Sequence, residues 1–218
     1  MGVRFFAPII RILGDSQYSI DMKCFLCALL ISALLEGSVF AGDLEEAGAA
    51  MEKKDYVAAL SKYKAAATKG DAFGQLQVGN FYYTGRYGVR QNYSEAIKWY
   101  RMAAAQGYAD GQYNLGGMYE YGQGVLQDYL EAVRYYRLAA WQGLPIAQSS
   151  LGSMYWEGKG VNHDLVRAHM WMNLAASQGE EVAAKFRERI AEKLSQSQII
   201  QAQKMARDCQ IMKYKNCF

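Results

Sequence analysis

Ser61-Lys62-Tyr63-Lys64 fits S-x-x-K, the nucleophile motif of penicillin-recognising enzymes, in which a serine hydroxyl attacks an acyl group. The motifs that must accompany it, S-D-N and K-T-G, are both absent, and Ser61 falls on a helix face expected to be solvated. Chance is the better account. The chain has two histidines, His163 in an expected turn and His169 on the apolar face of an expected helix. A metal site needs three or four ligands with matched spacing, and no cysteine or acidic cluster completes one. His169 is therefore expected as a satisfied buried residue. No glycine-rich phosphate loop follows a strand, because no convincing strand exists. The sequence assigns no catalytic residue, no metal ligand and no cofactor, and the chain reads as a non-enzyme.

The four cysteines fall into two pairs, Cys24 with Cys27 near the start and Cys209 with Cys217 near the end. Their meaning depends on the first forty residues. From Met22 the sequence is MKCFLCALLISALLEGSVFAGD. Lys23 gives a short basic region, Cys24 to Leu35 an apolar core, and Val39-Phe40-Ala41 small residues at −3 and −1. This is the layout of a secretory signal peptide over 22–41, cleaved between Ala41 and Gly42. Residues 1–21 do not fit that plan, since they put Arg4, Arg11, Asp15 and Asp21 before the basic region. They read as a mis-set upstream start. An exported chain would keep only Cys209 and Cys217, and two cysteines eight apart in such a chain read as a disulfide. The expected location is periplasmic or secreted.

Composition narrows the partners. With 51% apolar residues the chain can fill a core, and its 218 residues suffice for one domain. The net charge of +3, from 24 basic and 21 acidic side chains, is too mild for a nucleic-acid footprint, and no basic stripe is present. No apolar run reaches the roughly 18 residues of a membrane span.

The elements that must position any site come from a repeat. Tyr108 to Gly143 reads YADGQYNLGGMYEYGQGVLQDYLEAVRYYRLAAWQG, and it recurs as residues 71–107 and 144–179. A fixed period of this size marks stacked helical pairs. In the middle copy Ala109, Gln112, Leu115, Gly116 and Tyr119 recur at helical steps, followed by Tyr129, Ala132, Val133, Tyr136, Ala139 and Ala140. Gly79, Gly116 and Gly152 fall inside the first helices, where glycine costs about 1 kcal/mol against alanine. They are expected where helices touch too closely for a side chain. Gly85, Gly122 and Gly158 should end the first helices, and Gly107, Gly143 and Gly179 the second. Asn92, Asp128 and Asp164 should cap the starts of the second helices. Residues 42–70 form a degenerate N-terminal repeat or cap. Residues 180–218 are expected as capping helices, the first presenting Val182, Phe186 and Ile190 on one face, the second opened by a Ser195/Gln198 capping box.

These residues resemble the Sel-1-like repeat family, relatives of the tetratricopeptide repeats. Its pattern is met by Ala109, Gln112, Leu115-Gly116, Tyr119, Gly122, Gly124-Val125, Asp128, Ala132, Tyr135-Tyr136, Ala139-Ala140 and Gln142-Gly143. The third copy departs at Pro145 and Met172. The resemblance implies an all-α fold, a right-handed α-solenoid of helix-turn-helix repeats with helical caps. For function it implies protein–protein adaptors. Some cysteine-rich relatives have been labelled β-lactamases, but the cysteine pairs that define them are missing from these repeats.

By register with the tetratricopeptide repeats, the first helices line the concave face. Groove-facing positions are those that differ between copies, because residues needed for stacking should repeat. They include Phe73, Leu76, Asn80, Tyr83 and Thr84, then Asp110, Tyr113, Gly117, Glu120 and Tyr121, then Ile146, Ser149, Ser153, Trp156 and Glu157. The candidate binding residues are Phe73, Tyr83, Asp110, Tyr113, Glu120, Tyr121, Trp156 and Glu157. Their aromatic rings suit interface anchors, and their carboxylates favour a basic group on a protein or peptide partner. The alternatives are a cell-envelope hydrolase of β-lactamase or peptidoglycan type and a structural subunit of an envelope assembly.

Overall fold

A computed structural model describes residues 42–215 and Cys217, and within them every regular element is a helix. The sequence's expected start at Met22, the signal peptide, Cys24 and Cys27 lie outside the described residues. The helices are α1 (42–52), α2 (Tyr56–Thr68), α3 (Ala72–Thr84), α4 (Tyr93–Ala105), α5 (Ala109–Tyr121), α6 (Tyr129–Ala140), α7 (Pro145–Glu157), α8 (Leu165–Ala176), α9 (Glu181–Ala191) and α10 (Gln196–Ile211). Among the described residues no helix is long and apolar enough to cross a membrane.

Local chemistry sets the helix ends. The Asn92 side chain accepts the Glu95 amide at 3.1 Å, Asp128 accepts those of Leu130 and Glu131 at 2.9 and 3.1 Å, and Asp164 that of Arg167 at 2.9 Å. Each satisfies amide donors that a helix start leaves without partners. First helices α5 and α7 start without a side-chain cap. Pro145 sits at the first turn of α7, where its missing N–H costs nothing. Gly85, Gly122 and Gly158 end α3, α5 and α7 in the left-handed conformation, with φ of 62°, 66° and 69°.

Helix α3 packs on α4, α5 on α6 and α7 on α8, with α4–α5 and α6–α7 joining the pairs. First helices α3 and α5 also touch. Second helices approach through alanines, since Ala96, Ala103, Ala132, Ala139, Ala168 and Ala175 are all fully buried.

A ladder of glutamines fixes the register between copies. Gln75, Gln112 and Gln148, all buried, donate to the carbonyls of Ala67, Ala104 and Ala140 at the end of the preceding helix, at 3.2, 3.4 and 3.3 Å. Each in turn accepts from the glutamine that closes its own repeat, Gln106, Gln142 or Gln178, at 2.7–2.9 Å. Burial is tolerated because both ends of each amide are engaged.

The interior glycines sit at close helix contacts, and their nearest neighbours are side chains of the second helices. A Cβ at Gly79 would lie 2.5 Å from the Tyr100 ring, one at Gly116 2.8 Å from the Tyr136 ring, and one at Gly152 3.1 Å from the Met172 side chain. They leave room for a side chain of the second helix to pass across the first. The facing backbone is close there too, with a Cβ at Gly116 or Gly152 3.3 Å from the Ala132 or Ala168 carbonyl oxygen. It is closer still at Gly74 and Gly111, where a Cβ would meet Ala67 N at 3.0 Å and Ala104 N at 3.1 Å.

The C-terminal cap departs from its sequence pattern in one respect. Val182 is 68% exposed, and α9 buries Ala183 and Ile190 with Phe186 half-buried beside them. Steps of three and four hold those side chains on one stripe, whereas Val182 lies off it. α8 packs against both α9 and α10. The Ser195/Gln198 capping box is formed at the start of α10. Cys209 and Cys217 are bonded, with their Cα atoms 5.2 Å apart. The tail between them carries the Tyr214 ring back onto Gly143 at the end of the second repeat. It therefore reaches beyond the last helix to the repeats.

Candidate functional site

A cavity of about 310 Å³ opens on the face made by the first helices. α3 contributes Asn80 and Tyr83, and α5 contributes Tyr113, Asn114, Gly117, Met118 and Tyr121. Ser150 of α7 closes one side. Tyr100 and Tyr136 come from the second helices behind, through the gaps opposite Gly79 and Gly116. Without those glycines both rings would stop short of the cavity wall.

Two hydrogen-bonded groups organise the lining. On the α3 side, Tyr100 Oη donates to Asn80 Oδ1 at 2.8 Å, and Asn114 Nδ2 donates to the same oxygen at 3.2 Å. On the α5 side, Tyr136 Oη donates to Glu120 Oε2 at 2.5 Å, and the Tyr113 and Tyr136 rings lie 5.6 Å apart. Burial raises the phenol pKa of Tyr136 far above the usual range, and the hydrogen bond and charge of Glu120 add to it. Burial also raises Tyr113, opposed by a hydrogen bond with Ser150 and reinforced by the charges of Glu120, Tyr83 and Glu180. At Tyr121 the first cause of an upward shift is the Glu120 charge itself, followed by burial. The rings thus stay neutral around one carboxylate.

Of the residues chosen from sequence, Tyr83, Tyr113 and Tyr121 line this cavity, and Glu120 joins them through Tyr136. The other four lie elsewhere. Phe73 is 38% exposed and meets Tyr63 edge-on at 6.1 Å, while Asp110 is exposed in the first turn of α5. Trp156 packs edge-on against Phe186 of α9 at 5.4 Å, with the Lys193 ammonium 5.1 Å over its ring. Glu157 pairs with Lys159 at 2.5 Å. Leu76, also placed in the groove from sequence, is buried in the core.

The sequence reading missed Tyr100, Tyr136, Asn114 and Ser150. Tyr100 and Tyr136 recur and so pass for packing residues. The signal that exposes them is the pairing of a second-helix tyrosine with a first-helix glycine in the same copy, a pairing that Met172 breaks in the third.

The other sequence candidates have plain surroundings. Ser61 is exposed, and the Lys64 ammonium donates to Tyr82 Oη at 2.8 Å. His163 is exposed, whereas His169 is 3% exposed and its Nδ1 has no hydrogen-bond partner. His169 is thus buried as expected, but among the described residues its Nδ1 lacks the hydrogen-bond partner expected of it. Among the described residues no group of three or more His, Cys, Asp or Glu is placed to hold a metal ion.

Fold and face together define an all-helical solenoid of paired helices. Three Sel1 repeats match at 72–108, 109–144 and 145–180, half of the chain and one residue later than the copies read from the sequence. The chain belongs to the Sel1 repeat family. Its fold is similar to that of c5321, a protective antigen present in uropathogenic Escherichia coli strains that displays an SLR fold. The two are 29% identical with a TM-score of 0.55, over 73% of this chain and 42% of that one. A Sel1 repeat protein from Oxalobacter formigenes is 32% identical with a TM-score of 0.60, over 64% of this chain and 57% of its own. The match thus spans about half the length of these relatives. No curated protein matches the chain.

Proposed function

We propose that this protein is an exported, non-enzymatic scaffold, periplasmic or secreted, that binds a protein or peptide through the face formed by its first helices. The observation that carries the reading is the convergence of Tyr83, Tyr113 and Tyr121, from two successive first helices, on one cavity with Glu120 at its edge. Tyrosines supply large, rigid contact area with a polar tip, which suits reversible association. Membership of the Sel1 family supports a binding role, since interaction surfaces are what stacked helical pairs provide. The Cys209–Cys217 bond and the signal-peptide layout support export.

The test is affinity capture of partners from an envelope fraction with the wild-type chain and with Tyr113→Ala/Tyr121→Ala. Loss of the same partners from the variant is the expected result, and unchanged recovery would move the site elsewhere. Lys64 engaged by Tyr82 argues against an acyl-transfer role for Ser61. A nitrocefin assay checks the point directly, because hydrolysis abolished by Ser61→Ala would overturn the non-enzymatic reading.

A further inference from the structure

We infer that the cavity beside Glu120 is a subsite for one lysine or arginine side chain of an extended partner segment. The inference rests on the binding-face reading and names the chemistry the face selects.

Position 120 differs from its equivalents, Tyr83 in the first copy and Trp156 in the third. A carboxylate therefore stands where the other copies place an aromatic ring, in a chain whose net charge is positive. Its Oε2 is held by Tyr136, which fixes the group's orientation without neutralising it. Glu120 makes no ion pair among the described residues. Lys159 is a cation whose charge acts at Tyr121 and is itself acted on by Glu120, but its ammonium is occupied by Glu157 and lies over the Tyr129 ring at 5.5 Å. Glu180, from the start of the cap, adds a second negative charge felt at Tyr113. With that cation already paired to Glu157, the charge left acting on the cavity is negative.

The aromatic lining suits the same occupant. Tyr113, which lines the cavity, and Tyr121, 66% exposed at its rim, present neutral rings whose faces attract a cation. A lysine or arginine would lay its apolar stem along these rings and bring its head to the carboxylate. The contact is a charge-assisted hydrogen bond, the stronger class. A cavity of about 310 Å³ admits one such side chain and the peptide unit that carries it. An acidic segment would meet Glu120 and Glu180. A norleucine side chain would leave the carboxylate without a partner.

The experiment uses the full chain with ring-labelled tyrosine and follows its NMR signals during titration. The probes are Nα-acetyl-lysine methylamide, Nα-acetyl-arginine methylamide and the uncharged Nα-acetyl-norleucine methylamide, with a chitooligosaccharide as a neutral glycan. The expected result is saturable shifts of Tyr113 and Tyr121 with the two cationic probes, about tenfold tighter than with norleucine. Glu120→Gln keeps an acceptor for Tyr136 Oη and should lose that preference with an unchanged melting temperature. Equal binding of norleucine, tighter binding of the glycan, an unchanged preference in Glu120→Gln or the absence of any saturable shift would each overturn the inference. Partner capture separates its failure from that of the face. Partners kept by Glu120→Gln but lost by Tyr113→Ala/Tyr121→Ala leave the face standing without the cation. Partners kept by both variants remove the face as well.

Discussion

Positions 120 and 156 are equivalent in the repeat, and their surroundings have little in common. In the middle copy Glu120 is held by Tyr136, which lines the cavity and reaches the carboxylate past Gly116. In the third copy Trp156 occupies that position, Met172 replaces the tyrosine behind it, and Phe186 with Lys193 covers the indole. The same backbone slot stands beside a cavity in one copy and is a docking point for the cap in the other. Repeat register fixes where a side chain emerges, and the next element in the chain decides whether it meets solvent or a neighbour.

This contrast can be broken or sharpened by substitution. The largest expected effect lies at the capped end. Cys217→Ser removes the bond that closes the tail, and the loop-entropy model gives a loss of about 2–3 kcal/mol, read from urea unfolding. Because Tyr214 packs on Gly143, hydrogen exchange should rise in α8–α10 and at the end of α6, and stay unchanged in α2 and α3. A uniform rise would mean that the two ends do not behave separately.

The interior glycines come next. At Gly79 a Cβ meets the Tyr100 ring at 2.5 Å, so Gly79→Ala should cost about 1–2 kcal/mol after the gain in helix propensity. At Gly152 the neighbour is the flexible Met172 side chain at 3.1 Å, so Gly152→Ala should be within about 0.5 kcal/mol of wild type. Gly116→Ala, at 2.8 Å, should fall between them. Thermal melts that ranked the three alike would show that the glycines do not serve the passage of a ring.

Tyr136→Phe should cost about 1–1.5 kcal/mol through the lost hydrogen bond to Glu120. Because that carboxylate would then be less firmly held, any binding at the cavity should weaken too. Met172→Phe changes no such bond and should leave binding unchanged.

The smallest effect concerns pH. Burial, and secondarily the charge of Arg187, lowers the pKa of His169 below its usual value of about 6.5. The unfolded chain therefore takes up a proton before the folded chain does. The stability contributed by neutral His169 is complete above about pH 6.5 and is lost as pH falls through the lowered folded value. His169→Val should flatten that acid decline in the urea midpoint, and a decline unchanged in the variant would assign it to other groups.

The helix boundaries, their caps and the order of the stack were legible because each depends on residues close in sequence. Asn92, Asp128 and Asp164 bond amides two or three positions away, and Gly85, Gly122 and Gly158 end helices by their own backbone conformation. The cavity was legible only in part. Tyr83, Tyr113 and Tyr121 stood out by differing between copies, but Tyr100 and Tyr136 repeat, and variation alone assigns them to packing. Trp156 and Phe73 also differ between copies and lie outside the cavity, because helices α9 and α2 supply each with an aromatic neighbour. Such contacts join residues ten to thirty positions apart, which no local pattern records.

The glutamine ladder has a consequence for how such chains change length. Ala67, Ala104 and Ala140 offer the same carbonyl, and Gln75, Gln112 and Gln148 ask for it in the same way. If residues 109–144 were excised as a block, Gln148 would find at Ala104 what it now finds at Ala140. Each junction is interchangeable with the next, so whole copies can be gained or lost by recombination without redesign of the seams. The face of first helices is then inherited in units of one repeat, and a single changed residue such as Glu120 sets one unit apart from the others.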